Sequence, residues 1–359
     1  MSYRPLLQYV SAPLCCPSRS SILTGKYVHN HGAVNNSVNG NCSSLNWQTN
    51  QEIKAFPVYL QSQGYTTFFA GKYLNQYGFP KVGGVRHVPP GWKWWMGLVG
   101  NSVYYDYILS VNGSYELHGH RYPQDYLTDV INKRASEFLN LQSVDSGPFF
   151  MMLSTPACHF PFTAAPQYKQ NYTSAVAPRN GSFNVHAKDK HWLLRQTVTP
   201  MPNKTLSFID NTFKHRWQTL LSVDDMVENV INLLQEKGLI NNTYIIFSSD
   251  NGYHLGQFSL PNDKRQLYEF DVRVPLMIRG PGIKPGTYSE DIVMNIDLAP
   301  TFVNMSGLPV PPQMDGTTIL PILHGVSNTS SRSILVEHQG EHTKFVLGCP
   351  QYKNQRMAN

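Results

Sequence analysis

Short apolar runs alternate with longer amphipathic segments along most of this chain, and the alternation predicts an α/β fold. The apolar runs that predict strands are 65–70, 149–154, 244–249 and 275–279. Apolar residues at helical spacing predict helices over 125–141, 216–237 and 297–305. The segment 167–214 is polar and irregular, so we expect a long insertion over one end of the sheet. The run 244–249 is almost wholly apolar, which is typical of a central parallel strand covered on both faces.

Polar residues follow three of these predicted strands at the point where each strand ends. Gly71 and Lys72 close the first, His159 follows the second, and Asp250 and Asn251 close the third. Open parallel sheets bind their ligands at the carboxyl ends of the strands. We therefore expect these side chains to meet at one edge of the sheet and to form a functional site there.

The composition is that of a globular protein, and 359 residues are enough for one large domain or two smaller ones. A formal net charge of +6 fits an anionic substrate but does not establish one. No run of Lys and Arg indicates binding to nucleic acid, and no apolar stretch is long enough to cross a membrane.

Asparagine sequons indicate the compartment better than the cysteines do. The nine N-x-S/T tripeptides are more than the roughly four that chance would supply, which favours a glycoprotein of the secretory pathway. They begin at Asn35, Asn41, Asn112, Asn171, Asn180, Asn203, Asn241, Asn304 and Asn328. The first ten residues lack the apolar core of a signal peptide, so we expect the true N-terminus to lie upstream. The five cysteines are too few for a disulfide scaffold, and the sequence does not reveal their pairing.

The most informative string is CCPSRSSILTGK at positions 15–26. Pro17 favours the first turn of a helix, which would place Cys15 at the helix N-terminus and Arg19 about one turn away. A helix N-terminus and a guanidinium both favour an anion, whether a thiolate or a bound oxyanion. A buried structural cysteine is the simpler alternative. A phosphatase-type C-x5-R loop is excluded because position 21 is Ser.

The longer string from Pro13 to Gly25 resembles the signature of the type I sulfatases. In that family the first cysteine of C-x-P-S-R is oxidised to formylglycine by the formylglycine-generating enzyme, so the resemblance implies that Cys15 becomes the catalytic aldehyde hydrate. It also implies an alkaline-phosphatase-like α/β sandwich, with a central, mostly parallel sheet flanked by helices. We expect an N-terminally incomplete catalytic domain over 1–325 and the start of a C-terminal region over 326–359, with the first strand and the C-terminal subdomain missing.

The same resemblance assigns roles to other residues. The string GYTTFFAGKY at 64–73 resembles the second sulfatase signature and implies that Lys72 holds a sulfate oxygen. His159 matches the family histidine proposed to protonate the leaving oxygen, and Lys264 matches a second lysine at the sulfate. The catalytic set implied is Cys15, Arg19, Lys72, His159 and Lys264. The metal set implied is Cys15, Asp250 and Asn251, which would bind one divalent cation, usually Ca²⁺, through oxygen donors.

Two departures from the family pattern concern the metal and the base. The family also uses an adjacent pair of aspartates upstream of the cysteine, and the fourteen residues before Cys15 contain no Asp or Glu. A family histidine two residues after the strand lysine is here Leu74, and His254 is a candidate for the missing base. We interpret His29, His31 and His191 as surface or pocket residues.

Further strings narrow the resemblance to the glucosamine-6-sulfatase branch of the family, among them KHW at 190–192 and QFSLP at 257–261. This implies hydrolysis of 6-sulfate on N-acetylglucosamine of heparan or keratan sulfate in the lysosome, with a homodimer as one candidate assembly. An extracellular heparan 6-O-endosulfatase is an alternative within the branch. Two further alternatives are a phosphate or phosphonate ester hydrolase and a truncated chain that binds sulfated glycan without cleaving it. For residues 1–359 alone we expect little hydrolysis.

Overall fold

The computed structural model describes residues 4–326 and 332–340, and the side chains from residue 8 onward within that part. Its strands are β1 (Arg4–Tyr9), β2 (Thr66–Lys72), β3 (Trp94–Leu98), β4 (Tyr107–Val111), β5 (Ser114–His118), β6 (Phe149–Ser154), β7 (Ile245–Ser248), β8 (Arg273–Arg279) and β9 (Ser289–Met294). Its α-helices are α1 (Cys15–Thr24), α2 (Val28–His31), α3 (Leu45–Asn50), α4 (Phe56–Ser62), α5 (Leu127–Asn140), α6 (Asn203–Glu236), α7 (Glu269–Val272), α8 (Leu298–Met305) and α9 (Leu320–Leu323). The sequon at Asn328, Cys349 and most of the expected C-terminal region lie outside the described residues.

The described strands form two mixed sheets. The larger has the order β5-β4-β3-β2-β6, and β2 runs parallel to both of its neighbours. The smaller has the order β7-β8-β1-β9, in which β1 is antiparallel to β8 and parallel to β9. The expected strands at 65–70, 149–154 and 275–279 are confirmed by β2, β6 and β8.

Helices cover both faces of the larger sheet because its strand β2 is apolar on both sides. Phe68 and Ala70 of β2 belong to the core formed with α5 and α6. Phe69, between them in sequence, points the other way and packs in the core that contains Trp95 and Phe56 of α4. This period-two alternation with both sides apolar is what a sheet buried between two helical layers requires. The expectation of an α/β sandwich is therefore confirmed.

The strand at 244–249 is present, but the expectation that it is central and parallel is wrong within the described residues. It forms β7, which pairs only with β8 and is antiparallel to it. Phe247 of β7 is 37% exposed, as expected of a strand at the end of a sheet. Its continuous apolar run suggested a central parallel strand, but side-chain polarity does not reveal how the backbone pairs.

The helix expected at 216–237 begins earlier, inside the segment expected to be irregular. Helix α6 starts at Asn203, directly after Pro202, and runs for 34 residues. Leu206, Ile209 and Phe213 recur at helical spacing in this first part, and Ile209 is fully buried. The many polar residues between them hid this period. The helices expected at 125–141 and 297–305 are confirmed by α5 and α8.

Across the described part of the chain, none of the helices combines the length and the apolar character that a membrane span requires.

Candidate active site

Cys15 is the first residue of α1, as its sequence context predicts. Leu14 before it is extended, and Gly25 ends the helix in the left-handed conformation with φ of 69°. The side chain of Leu14 cannot cap the helix, so part of the N-terminal backbone is satisfied from elsewhere: the Cys16 N–H donates to Asn36 Oδ1 at 2.9 Å. The positive end of α1 therefore lies at Cys15, where it favours an anion.

The Cys15 side chain is 2% exposed and is not in a disulfide. The side chains of Lys264 and His159 interact electrostatically with its thiol. Burial alone would raise the pKa of the Cys15 thiol, but the charges of Lys264 and Lys72 hold it well below its ordinary value. The site is thus built to hold negative charge at the position of residue 15.

Lys72 and Lys264 reach Cys15 from different segments. Lys72 is the last residue of β2 and is 2% exposed, and burial lowers its pKa to about 8. Lys264 is 6% exposed, and the negative charges of Cys15 and Asp250 outweigh burial and raise its pKa. Its neighbour Arg265 has φ of 87° and donates its N–H to the Pro13 carbonyl at 3.1 Å, which ties the Lys264 segment to the start of α1.

Arg19 joins the ends of three strands. Its Nε donates to Asp250 Oδ2 at 2.6 Å, and one terminal nitrogen donates to the Lys72 carbonyl and to Ser154 Oγ, both at 2.7 Å. Asp250 follows β7, Lys72 ends β2 and Ser154 ends β6. The expected meeting of the strand ends is confirmed, but β7 belongs to the smaller sheet, so the ends do not lie at one edge of a single sheet. Ser154 was missed by the sequence reasoning, although a polar residue closing an apolar strand was a usable signal.

His159 lies in the loop that follows β6. Its Nδ1 is 2.7 Å from the Phe160 carbonyl oxygen, which can only accept, so Nδ1 carries the hydrogen. Nε2 is then the ring nitrogen available to the Cys15 side. A histidine fixed in this tautomer can carry a proton on Nε2 and deliver it to an oxygen at residue 15.

Asp250 and Asn251 supply two oxygen donors beside these cations. Burial alone would raise the pKa of the Asp250 carboxyl, but the charges of Arg19, Lys72 and Lys264 hold it well below its usual range. The group is therefore a carboxylate. Asn251 Oδ1 is buried and accepts no hydrogen bond from the described residues. A carboxylate and an unpartnered amide oxygen fit a hard divalent cation. Within residues 4–326 and 332–340 there is no cluster of three or more His, Cys, Asp and Glu that would complete such a site.

The other histidines lie in different environments. His254 is fully buried, with Nδ1 3.0 Å from both carboxylate oxygens of Asp271, and its role as a base stays a prediction. His29 and His191 are exposed, as interpreted. The interpretation of His31 as a surface or pocket residue is wrong. It is 1% exposed, both ring nitrogens are hydrogen-bonded to Ser21 and Ala33, and burial lowers its pKa to about 3.

The remaining predicted positions are placed as follows. Cys16 and Cys42 form a disulfide, a pairing that the sequence did not reveal. Five of the sequon asparagines are exposed, namely Asn112, Asn171, Asn180, Asn203 and Asn241. Asn35, Asn41 and Asn304 are half-buried. Glycosylation of these positions stays a prediction.

Comparisons with known proteins identify the family of the chain. The family model described as Sulfatase matches residues 7–308. The chain is 58% identical over 93% of its length to an N-acetylglucosamine-6-sulfatase of Capra hircus, of which it covers 60%. It is 44% identical over 92% of its length to an extracellular sulfatase homologue of Drosophila melanogaster, of which it covers 30%. The chain thus spans about three fifths of the length of the first relative.

A solved structure in complex with its substrate D-glucosamine-2-N,6-O-disulfate has the same fold. It superposes with a TM-score of 0.77 at 24% identity, over 95% of this chain and 78% of that one. The family match covers most of the chain, including every residue that surrounds Cys15 above. The chain belongs to the sulfatase family.

Proposed function

We propose that this chain carries the catalytic centre of a sulfuric ester hydrolase that removes 6-O-sulfate from N-acetylglucosamine residues of heparan and keratan sulfate. The observation that carries the proposal is the position of Cys15, which is buried at the N-terminus of α1 and interacts with Lys264, Lys72 and His159. The 58% identity to an N-acetylglucosamine-6-sulfatase supports this substrate class over that of the extracellular endosulfatases. A lysosomal location follows as part of the same proposal.

Formylglycine formed from Cys15 by the formylglycine-generating enzyme would supply an aldehyde hydrate, and hence an oxygen nucleophile for the sulfur atom. Lys72 and Lys264 then bind the sulfuryl oxygens and neutralise the charge that develops on them. Arg19 keeps the ends of β2, β6 and β7 together around this group. His159 protonates the sugar oxygen as it leaves, through Nε2, because Nδ1 is fixed to the Phe160 carbonyl.

Asp250 and Asn251 would hold the divalent cation, and we propose Ca²⁺ because both donors are oxygen atoms. The unpartnered Asn251 Oδ1 supports this assignment. The cation would add positive charge next to the sulfuryl oxygens. A carboxylate and an amide are two of the six to eight ligands that Ca²⁺ takes, so the other ligands come from outside this pair.

The test is hydrolysis by the protein expressed from its complete gene together with the formylglycine-generating enzyme. We expect sulfate release from 6-sulfated N-acetylglucosamine at the non-reducing end of a heparan oligosaccharide, loss of that release in Cys15→Ala, and loss of it with a chelator, restored by Ca²⁺. A preference for an internal sulfated residue would favour the endosulfatase alternative. A clear preference for a phosphonate ester over the sulfate ester would contradict the proposal.

A further inference from the structure

Arg216 lies beside the candidate active site but has no role in the mechanism above. It is in the first half of α6, at the position where the sequence predicted the helix to begin. One terminal nitrogen donates to the Cys158 carbonyl oxygen at 2.8 Å. Cys158 directly precedes His159, so this hydrogen bond holds the peptide that leads into the proposed general acid.

The guanidinium of Arg216 also lies over an aromatic ring. Its Cζ is 4.0 Å from the centre of the Tyr253 ring and 6.0 Å from that of Phe162. Tyr253 comes two residues after Asn251, and its N–H donates to the Phe270 carbonyl at 2.8 Å. A cation over the face of a tyrosine at this distance is attractive. Arg216 therefore connects the loop of His159 to the chain that follows the metal-binding pair.

The loop is held at a second carbonyl by a buried tyrosine. The Tyr104 hydroxyl donates to the His159 carbonyl oxygen at 3.0 Å, and burial raises its pKa well above the usual value, so it remains a donor. The carbonyls on both sides of the His159 N–Cα–C unit are thus fixed by side chains from other elements. Among the described residues Arg216 has no carboxylate partner within ion-pair distance, so these two contacts account for where its guanidinium lies.

We propose that Arg216 is a positioning residue that orients His159 for protonation of the leaving oxygen. The inference rests on the proposed function, since it presupposes that His159 is the general acid. Lysine at this position would keep the charge but lose the planar fork that donates to a carbonyl while stacking on a ring. The Cys158 carbonyl would then lose this hydrogen bond, and the loop would hold the imidazole less rigidly even though the Tyr104 contact remains.

The kinetic test compares two leaving groups, because only a poor one needs a proton. Nitrophenyl sulfate releases a stable phenolate, whereas sugar 6-sulfate releases an alkoxide that must be protonated. We expect Arg216→Lys to lower kcat for the sugar sulfate about tenfold, which is part of the ~100-fold or more that general acid catalysis contributes. Its kcat for nitrophenyl sulfate and both KM values should change less than about threefold.

Arg179→Lys is the control, because Arg179 makes the same two kinds of contact elsewhere, in addition to an ion pair with Asp210 at 2.7 Å. It donates to the Ala177 carbonyl at 2.9 Å and lies 4.1 Å from the centre of the Phe183 ring. This control should leave both substrates unaffected. His159→Ala shows whether a negative result concerns His159 or Arg216. If His159→Ala lowers kcat equally for both leaving groups, the role of His159 in the proposed function is wrong, and the inference fails with it. If His159→Ala shows the difference and Arg216→Lys does not, the inference alone is overturned.

A second measurement on the chain of residues 1–359 does not depend on turnover. The imidazole signal of His159, assigned by its loss in His159→Gln, reports ring orientation and tautomer by NMR. We expect it to shift in Arg216→Lys and to stay in place in Arg179→Lys. An unchanged His159 signal in Arg216→Lys would overturn the inference.

Discussion

At the scale of single residues, the site is held together by one arginine with three acceptors. The Arg19 guanidinium contacts a carboxylate, a backbone carbonyl and a hydroxyl that come from three strand ends. A planar fork can reach all three at once, while an ammonium group on a flexible stem cannot. The side chain therefore fixes where Asp250, Lys72 and Ser154 lie relative to one another.

We expect Arg19→Lys to lower kcat for sulfate ester hydrolysis by about 100-fold, comparable to the loss of one preorganised group in a catalytic site. Steady-state kinetics on the modified protein measures this. Arg134→Lys is the control, since Arg134 also forms a two-oxygen contact, with Glu116 at 2.8 and 3.0 Å, but away from Cys15. A kcat of Arg19→Lys within about threefold of the parent would contradict this account of Arg19.

The sequence predicted most residues of the site because they lie in short strings of fixed spacing. Lys72 ends β2, and His159 and Asp250 follow β6 and β7, so the rule of strand ends predicts that they meet. Cys15 and Lys264 were identified from their strings alone. Ser154 and Arg216 were missed because their roles come from contacts with residues that are distant in sequence, at Arg19 and at Cys158. Single strings do not carry such information.

At the scale of elements, the N-terminus of α1 depends on a loop that follows the helix. Asn36 accepts from the Cys16 N–H, and the Cys16–Cys42 disulfide fixes the same loop across 26 residues of sequence. The sequence indicated the helix from Pro17 but not this distant cap, since a cap is normally sought in the residue just before the helix. The continuous apolar run likewise predicted strand β7 but did not reveal which strand it pairs with.

We expect Cys42→Ser to lower the free energy of unfolding by about 3 kcal/mol, because the unfolded chain gains the entropy of an open loop of this length. Denaturant unfolding without reductant measures the loss, and reductant should produce a similar loss in the parent protein. Cys158→Ser is the control, as Cys158 is a half-buried free thiol. A change below about 1 kcal/mol in Cys42→Ser would show that the disulfide is not a main constraint on this region.

At the scale of the whole molecule, the two helices on one face of the larger sheet bring acidic residues together. Asp129 of α5 has a buried Oδ2 that accepts no hydrogen bond from the described residues. Burial and the nearby Asp225 of α6 raise the pKa of Asp129 to about 6. The folded state therefore retains a proton here at pH values where the unfolded chain, with a pKa of about 4, has lost it.

The stability contribution of protonated Asp129 is complete below about pH 4 and is lost as the pH rises to about 6, above which the penalty is constant. We expect Asp129→Asn to raise Tm at pH 7 and to change it little at pH 4. Asp145→Asn removes an equal charge at an exposed position and should not show this difference. Equal effects of Asp129→Asn at both pH values would refute this assignment.

The fold as a whole was more predictable than its details. Apolar residues on both faces of β2 and helical periods at α5 and α8 were enough for an α/β sandwich. The first part of α6 could not be predicted, because its apolar residues are few and lie within a polar segment. We propose that this fold holds formylglycine, formed from Cys15, at position 15.

Peptide mass spectrometry across Cys15 tests that claim most directly. The protein should be expressed from its complete gene in cells that contain the formylglycine-generating enzyme, and the peptide that spans residue 15 should then be identified. We expect an aldehyde or its hydrate at residue 15, and an unmodified thiol or a disulfide at every other cysteine. Intact cysteine at residue 15 in protein from those cells would contradict that claim.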